Sequence, residues 1–258
     1  KIKKPDVVII AAAKVGGIKA NMNFPANFIN DNLQIQSNLI LNSFNFRVKK
    51  LIFFGSSCIY PNNIKEKIKE DQIMAGPLEQ SNESYSIAKI AGIKMIQSLN
   101  KQYKTNYISL MPCNLFGPND NYDLNNSHFL PALIKKIYLA SKKKNKIVKL
   151  WGTGKPLREV LYVDEVASAC EYFLRKKKSS DLINIGSQIE MTIRDYAFKI
   201  RNKIDHTVLI KFDKNKKMDG VKRKKLDISL AKKNGWMAKM NFSKALDKTI
   251  NDFKKNYK

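Results

Sequence analysis

Leu51-Ile-Phe-Phe-Gly55-Ser-Ser-Cys58-Ile-Tyr60, followed after a polar stretch by Tyr85-Ser-Ile-Ala-Lys89, decides the fold of this chain. The first segment reads as a buried strand that stops at Gly55 and delivers Ser56, Ser57 and Cys58 at its carboxyl end. The second opens a helix running to Tyr103 and puts a phenol and an ammonium one turn apart on one face. A strand-end hydroxyl beside a phenol held near a lysine points to proton delivery to a carbonyl in an α/β sheet. Gly55 and its small neighbours read as room for a ligand. Spacing alone decides nothing, because Tyr138 with Lys142 and Tyr172 with Lys176 repeat Tyr-x-x-x-Lys. Those two lie in lysine-crowded helical stretches without strand-borne serines upstream and read as chance.

Outward from this pair the pattern is strand, helix, strand, helix, strand. Asp6-Val-Val-Ile-Ile-Ala-Ala-Ala13 is a continuous, β-branched strand signal that ends in small residues. Phe28 to Phe46 reads as a helix carrying Leu33, Ile40, Leu41 and Phe44, and Tyr107-Ile-Ser-Leu-Met-Pro112 as the next strand. The rhythm predicts a doubly wound parallel sheet of the Rossmann type. Beyond Asn114-Leu-Phe-Gly-Pro118 the character changes to an Asn-rich loop, a helix from Phe129 to about Lys143 and a strand at Ile147–Trp151. Asp181 to Gly186 reads as a return to the sheet, and the segment from 192 on as helical and charged, with a final amphipathic helix near 243–255. The domains are expected at 1–116, with a return near 160–187, and at 117–258, a smaller α+β substrate-binding domain.

A dinucleotide-binding sheet opens with a strand, a glycine-rich turn and a helix whose N-terminus holds the pyrophosphate. No such glycine pattern occurs in these residues. The first strand here reads as the fourth of such a sheet, so the first βαβ unit is expected to be missing. That predicts exposed apolar surface near 7–12 and 51–54 and weak cofactor binding.

The 258 residues are enough for a substantial core, with 43% hydrophobic residues and no run long enough to span a bilayer. Cys58, Cys113 and Cys170 are odd in number and far apart, so neither a disulfide framework nor a metal site follows, and a cytoplasmic location is expected. The net charge of +26 comes from lysines spread along the chain, with Asn and Ile abundant and Arg scarce. That is the signature of AT-rich coding rather than of a nucleic-acid interface. It does favour polyanionic small ligands such as nucleotides.

Ala11-Ala-Ala-Lys-Val-Gly-Gly-Ile18, Gly55-Ser-Ser-Cys-Ile-Tyr-Pro61, Tyr85-x-x-x-Lys89-Ile-Ala-Gly-Ile-Lys94 and Asn125-Asn-Ser-His128 together resemble the GDP-L-fucose synthases of the extended short-chain dehydrogenase/reductase family. Trp151-Gly-x-Gly-x-Pro-x-Arg158-Glu159, Val163-Asp164 and Asp219-Gly-x-x-x-Lys-x-Leu-Asp227 extend the resemblance over essentially the whole chain. The resemblance implies epimerisation of GDP-4-keto-6-deoxy-D-mannose at C3 and C5, then NADPH reduction of the C4 ketone. It places Tyr85, Lys89, Ser56, Cys58 and His128 as catalytic residues, with Cys58 and His128 as the acid–base pair. It assigns Ser56, Ser57, Lys89, Pro112, Cys113, Asn114, Leu115 and His128 to NADP(H). Lys136, Trp151, Arg158 and Asp219 match positions that contact the GDP-sugar. It also implies a homodimer through helices 28–46 and 83–103. Two alternatives stay open: another nucleotide-sugar epimerase or reductase of the family, and an inactive sugar-nucleotide-binding protein. Lys14 has no assigned role, and Tyr60 and Pro61 read as shaping the loop.

Overall fold

Four short apolar runs pair in parallel in the computed structural model, which describes residues 4–214 and 219–257. Strand β1 (Val7–Ile10) leads through helix α1 (Ile18–Asn23) and helix α2 (Pro25–Asn45) to β2 (Lys50–Phe54). Helix α3 (Glu83–Tyr103) leads on to β3 (Tyr107–Pro112), and β4 (Asn114–Phe116) leaves the sheet directly after it. Then come α4 (Phe129–Ser141), β5 (Ile147–Leu150), β6 (Leu157–Tyr162), α5 (Val163–Arg175) and β7 (Leu182–Ile185). The chain closes with β8 (Glu190–Thr192), α6 (Ile193–Ile204), β9 (Leu209–Phe212), β10 (Arg223–Lys224), α7 (Ser229–Lys233) and α8 (Phe242–Asn256).

The main sheet has the order β1-β2-β3-β7, all parallel. All six residues of β3 are buried, as a strand covered on both faces requires. Helices α2 and α3 pack together over one face. Gly92 allows this, since a Cβ there would lie 2.8 Å from Phe53 Cζ and 2.9 Å from Gln36 Cδ. The α2 face turned inward carries Phe28, Asn32, Gln36, Ile40 and Ser43, while Leu41 is exposed. This corrects the apolar stripe expected for that helix. The buried amides are accommodated by bonding: Gln36 Nε2 donates to Ala88 O at 2.5 Å, and Asn32 bonds Phe28 O and both main-chain groups of Lys14. The Lys14 ammonium forms an ion pair with Asp31 at 2.7 Å, so this lysine fastens the β1–α1 loop to α2.

Val7 and Ile9 on the edge strand are 42% and 45% exposed, in line with the expected open edge. Leu51, Ile52 and Phe53 are fully buried, which corrects the expectation for 51–54. Val166, Ala169, Cys170 and Phe173 of α5 join them in one core, so β2 is covered by helices of this same chain.

A second layer is built from β10-β6-β4, parallel, with β8 antiparallel on β6, and from the parallel pair β5-β9. Its core joins Leu130, Ile134 and Ile137 of α4 with Tyr196 and Ile200 of α6 and with Leu246, Ile250 and Phe253 of α8. The described residues beyond 192 are therefore not simply helical: they supply two strands, β9 and β10. Leu226, Ile228, Ala231 and Trp236 moreover return to the first core. Asn184 anchors that return. Its side chain accepts from Tyr60 OH at 2.6 Å and donates to Ile68 O and Asp227 O. Among the described residues no helix is long and apolar enough to cross a membrane.

Candidate active site

Strand β2 ends against β3 so closely that a Cβ on Gly55 would sit 2.1 Å from Met111 Sδ. Packing against the buried Met111 side chain therefore requires a glycine here. Ser56 follows in extended conformation and caps a single turn of 3-10 helix, Ser57–Ile59, its Oγ accepting from Cys58 N at 3.4 Å. The turn buries Ser57 and Ile59 and leaves Cys58 half-buried. Ser86 Oγ donates to Cys58 O at 3.0 Å and ties the turn to α3.

On α3 the next residues inward are Tyr85 and Lys89. Lys89 is only 2% exposed, yet its ammonium donates to Phe54 O at 2.9 Å, at the very end of β2. It lies 4.6 Å from the Phe53 ring centroid and 5.9 Å from that of Tyr85. Burial pushes its pKa down to about 8. The Tyr85 phenol shares a hydrogen bond with the Ser56 hydroxyl; burial first, then the neighbouring Cys58, push its pKa up. The other two Tyr-x-x-x-Lys pairs reach the same geometry, with ammonium-to-ring distances of 5.3 Å and 5.6 Å. What they lack is burial of the lysine and a strand-borne serine on the phenol. Tyr172 OH instead donates to Asn234 O.

His128 stands at the N-cap of α4 in extended conformation. Asp123 shapes the loop before it, accepting from Asn125 N and Asn126 Nδ2. Gly17 N donates to Asn126 O at 3.0 Å, and a Cβ on Gly17 would press on Ser127 O at 3.1 Å. Gly16 in turn packs on Phe28, whose ring meets Tyr85 edge-on at 6.5 Å. That relay of contacts links the His128 loop to the Tyr85 side of the site. The imidazole is open to solvent, and partial desolvation by its surroundings lowers its pKa.

The Trp151-Gly-Thr-Gly turn follows β5. Lys136 of α4 places its ammonium 4.3 Å from the Trp151 ring centroid. Gly152 and Gly154 have φ of 75° and 73°, so the turn needs glycines at both places. Both carboxylate oxygens of Asp219 accept from Thr153, from its N and its Oγ1, at 2.7 Å each. Asp219 is thus a clasp on the turn. Arg158 on β6 donates from Nη2 to Asp219 O at 3.2 Å, and desolvation lowers its pKa, opposed by the nearby Cys58, Asp219 and Glu79. The register of β10 on β6 sets Lys224 beside Arg158, and Lys224 Nζ reaches 3.7 Å from Cys58 Sγ. Lys224 was not singled out in the sequence. Its signal lay within Asp219-Gly-x-x-x-Lys-x-Leu-Asp227, hidden by the surrounding lysines.

The stretch from Pro112 to Leu115 crosses between the layers. The Cys113 thiol is enclosed, 6% exposed, and burial pushes its pKa far up, so the side chain itself is shut away from a ligand. Asn114 Nδ2 donates to Glu159 O, and Leu115 is half-buried against the first core. The residues at the strand ends suit the nicotinamide end of a dinucleotide: a phenol, a buried ammonium and a hydroxyl converge there. No glycine-rich pyrophosphate turn is among the residues of this sequence.

GDP-L-fucose synthase 1 of Arabidopsis thaliana is 44% identical to this chain over 254 residues, 98% of this chain and 78% of that protein. The crystal structure of a GDP-L-fucose synthetase from Naegleria fowleri bound to NADP superposes with a TM-score of 0.89 at 29% identity, covering 98% of this chain and 78% of that one. A GDP-mannoheptose C4 reductase from Campylobacter jejuni with NADP bound superposes with a TM-score of 0.87 at 33% identity, covering 97% and 82%. Residues 1–186 match the NAD dependent epimerase/dehydratase family, and to that family the chain belongs.

Proposed function

We propose that this protein converts GDP-4-keto-6-deoxy-D-mannose to GDP-L-fucose, by epimerisation at C3 and C5 and reduction at C4 with NADPH. The observation that carries this reading is the convergence of Ser56, Cys58, Tyr85 and Lys89 at the end of β2, with Arg158 beside the thiol. It agrees with the activity named for the Arabidopsis relative.

The chemistry follows from the ketone. Carbons 3 and 5 flank C4, so a base can take their protons if the enolate oxygen is stabilised. Ser56 and Tyr85, already bonded to one another, present two hydroxyls for that oxygen. Cys58 takes the proton on one face, and His128 returns one on the other, which inverts the carbon. NADPH supplies the hydride to C4 in the second stage. Tyr85 gives its proton to O4 as that hydride arrives and is reprotonated from solvent. Burial suits it to the task, because the phenol stays protonated until O4 becomes basic. Lys89, its pKa down to about 8, is largely charged at neutral pH and lowers the cost of the transient phenolate. Arg158 and Lys136 bind the nucleotide diphosphate, the guanidinium by two parallel hydrogen bonds. Trp151 packs on a ring of the ligand.

Two further assignments complete this reading. A homodimer forms through α2 and α3, whose Leu39, Leu41, Ile87 and Tyr103, with Phe46 just after α2, are exposed apolar residues. The protein works in the cytosol, where a reduced Cys58 persists.

The test is solvent exchange without NADPH. In deuterated water the protein washes label into C3 and C5 of the GDP-4-keto-sugar, and Cys58→Ser and His128→Gln suppress it. Intact exchange in both variants sinks the acid–base assignment.

A further inference from the structure

Strand β10 is short, but it is held firmly. The Arg223 guanidinium bonds both oxygens of Glu190 at 2.9 Å. Lys225 lies 4.0 Å from the same carboxylate, and Leu226 N donates to buried Glu159 at 2.9 Å. Side chains alternate along a strand, so Arg223 and Lys225 occupy the Glu190 side and Lys224 points the other way. That other way is into the site, 3.7 Å from Cys58 Sγ. Among the described residues, the charged and titratable groups facing the thiol are Tyr85 from α3, Arg158 from β6 and Lys224 from β10. Glu79 and Asp219 face Arg158. Of the cations at the sulfur, Lys224 is the one that donates a hydrogen bond to it.

We propose that Lys224 is a positioning residue for proton transfer: its ammonium aims the Cys58 sulfur and neutralises the charge the sulfur carries as thiolate. The inference rests on the reading of Cys58 as the base. In that step the thiolate takes the proton from the carbon beside the C4 ketone; the C–H bond breaks, an S–H bond forms, and the electron pair moves into the enolate. A thiolate beside a lysine is favoured over the thiol, and the thiolate is the reactive form.

The experiment measures Cys58 alkylation by iodoacetamide against pH, by peptide mass spectrometry, without substrate. Cys113 and Cys170 are buried and serve as slow internal controls. Lys224→Met is expected to slow Cys58 alkylation at neutral pH about tenfold, because the sulfur loses the ammonium that donates to it. Lys224→Arg keeps the native profile. A role in binding diphosphate alone would raise KM and leave the alkylation profile of Lys224→Met unchanged, and that result overturns the proposal. Lys224→Gln, checked for a native unfolding curve, guards against a folding defect in the Met variant and is expected to give the same slow alkylation. If alkylation shifts as expected while even the unaltered protein gives no exchange at C3 or C5, the pairing stands and the proposed reaction falls.

Discussion

Replacing Lys89 by methionine is expected to make the protein more stable and to disable it. Lys89 is 2% exposed, and burial takes its pKa from an ordinary 10.5 to about 8. At about 1.4 kcal/mol per pKa unit, keeping the folded side chain charged costs about 3 kcal/mol at neutral pH. Methionine removes that cost and loses the hydrogen bond to Phe54 O, worth about 1 kcal/mol. The net expectation at neutral pH is a gain of about 2 kcal/mol. The sign of the pH dependence follows from the direction of the shift. Between the folded value of about 8 and the unfolded 10.5, the unfolded chain holds more protons. In that window the unaltered protein gains stability as pH rises, and below it the full cost is present. Urea unfolding of both proteins at several pH values is the assay. The advantage of Lys89→Met should shrink by about 2 kcal/mol from neutral pH to about pH 9.5. Ketone reduction by the variant should fall about a hundredfold or more. A variant less stable than the parent, by an amount that does not change with pH, would refute the account of Lys89.

Tyr85→Phe removes the proton donor to O4 and one of the two hydroxyls on the enolate oxygen, so reduction is expected to fall by about 10² to 10⁴ and solvent exchange at C3 and C5 to slow by a smaller factor, as followed by mass spectrometry. Arg158→Gln is expected to raise KM for the GDP-sugar about tenfold or more, with a weaker salt dependence, in steady-state kinetics. Asn184→Ala leaves the buried Tyr60 OH without its acceptor and removes a donor from Ile68 O, which keeps Asp227 N, and from half-buried Asp227 O; it is expected to cost about 2 kcal/mol in urea unfolding.

The first three strands and α3 were legible because each carries its own signal. A β-branched run marked β1 and apolar runs marked β2 and β3, and Tyr85 with Lys89 gained meaning from the serines at the end of β2. Lys14 carried no role in the sequence, and the packing demand at Gly55 was invisible there, since one answers to Asp31 and the other to Met111, both far along the chain. The inward face of α2 was misread because Asn32 and Gln36 are buried by long-range hydrogen bonds that no periodicity displays. Strands β6 and β10 escaped for a related reason. β6 is defined by pairing with β4, β8 and β10, which lie apart along the chain, and β10 is too short to show an alternation of its own. Losing β10 meant losing Lys224 and with it the second cation at Cys58.

The most direct test of the central claim is product configuration. The protein is incubated with NADPH and GDP-4-keto-6-deoxy-D-mannose, and the sugar released is identified by NMR. The account predicts GDP-L-fucose, inverted at C3 and C5 and reduced at C4. A product reduced at C4 with C3 and C5 unchanged would contradict it and leave a simple C4 reductase.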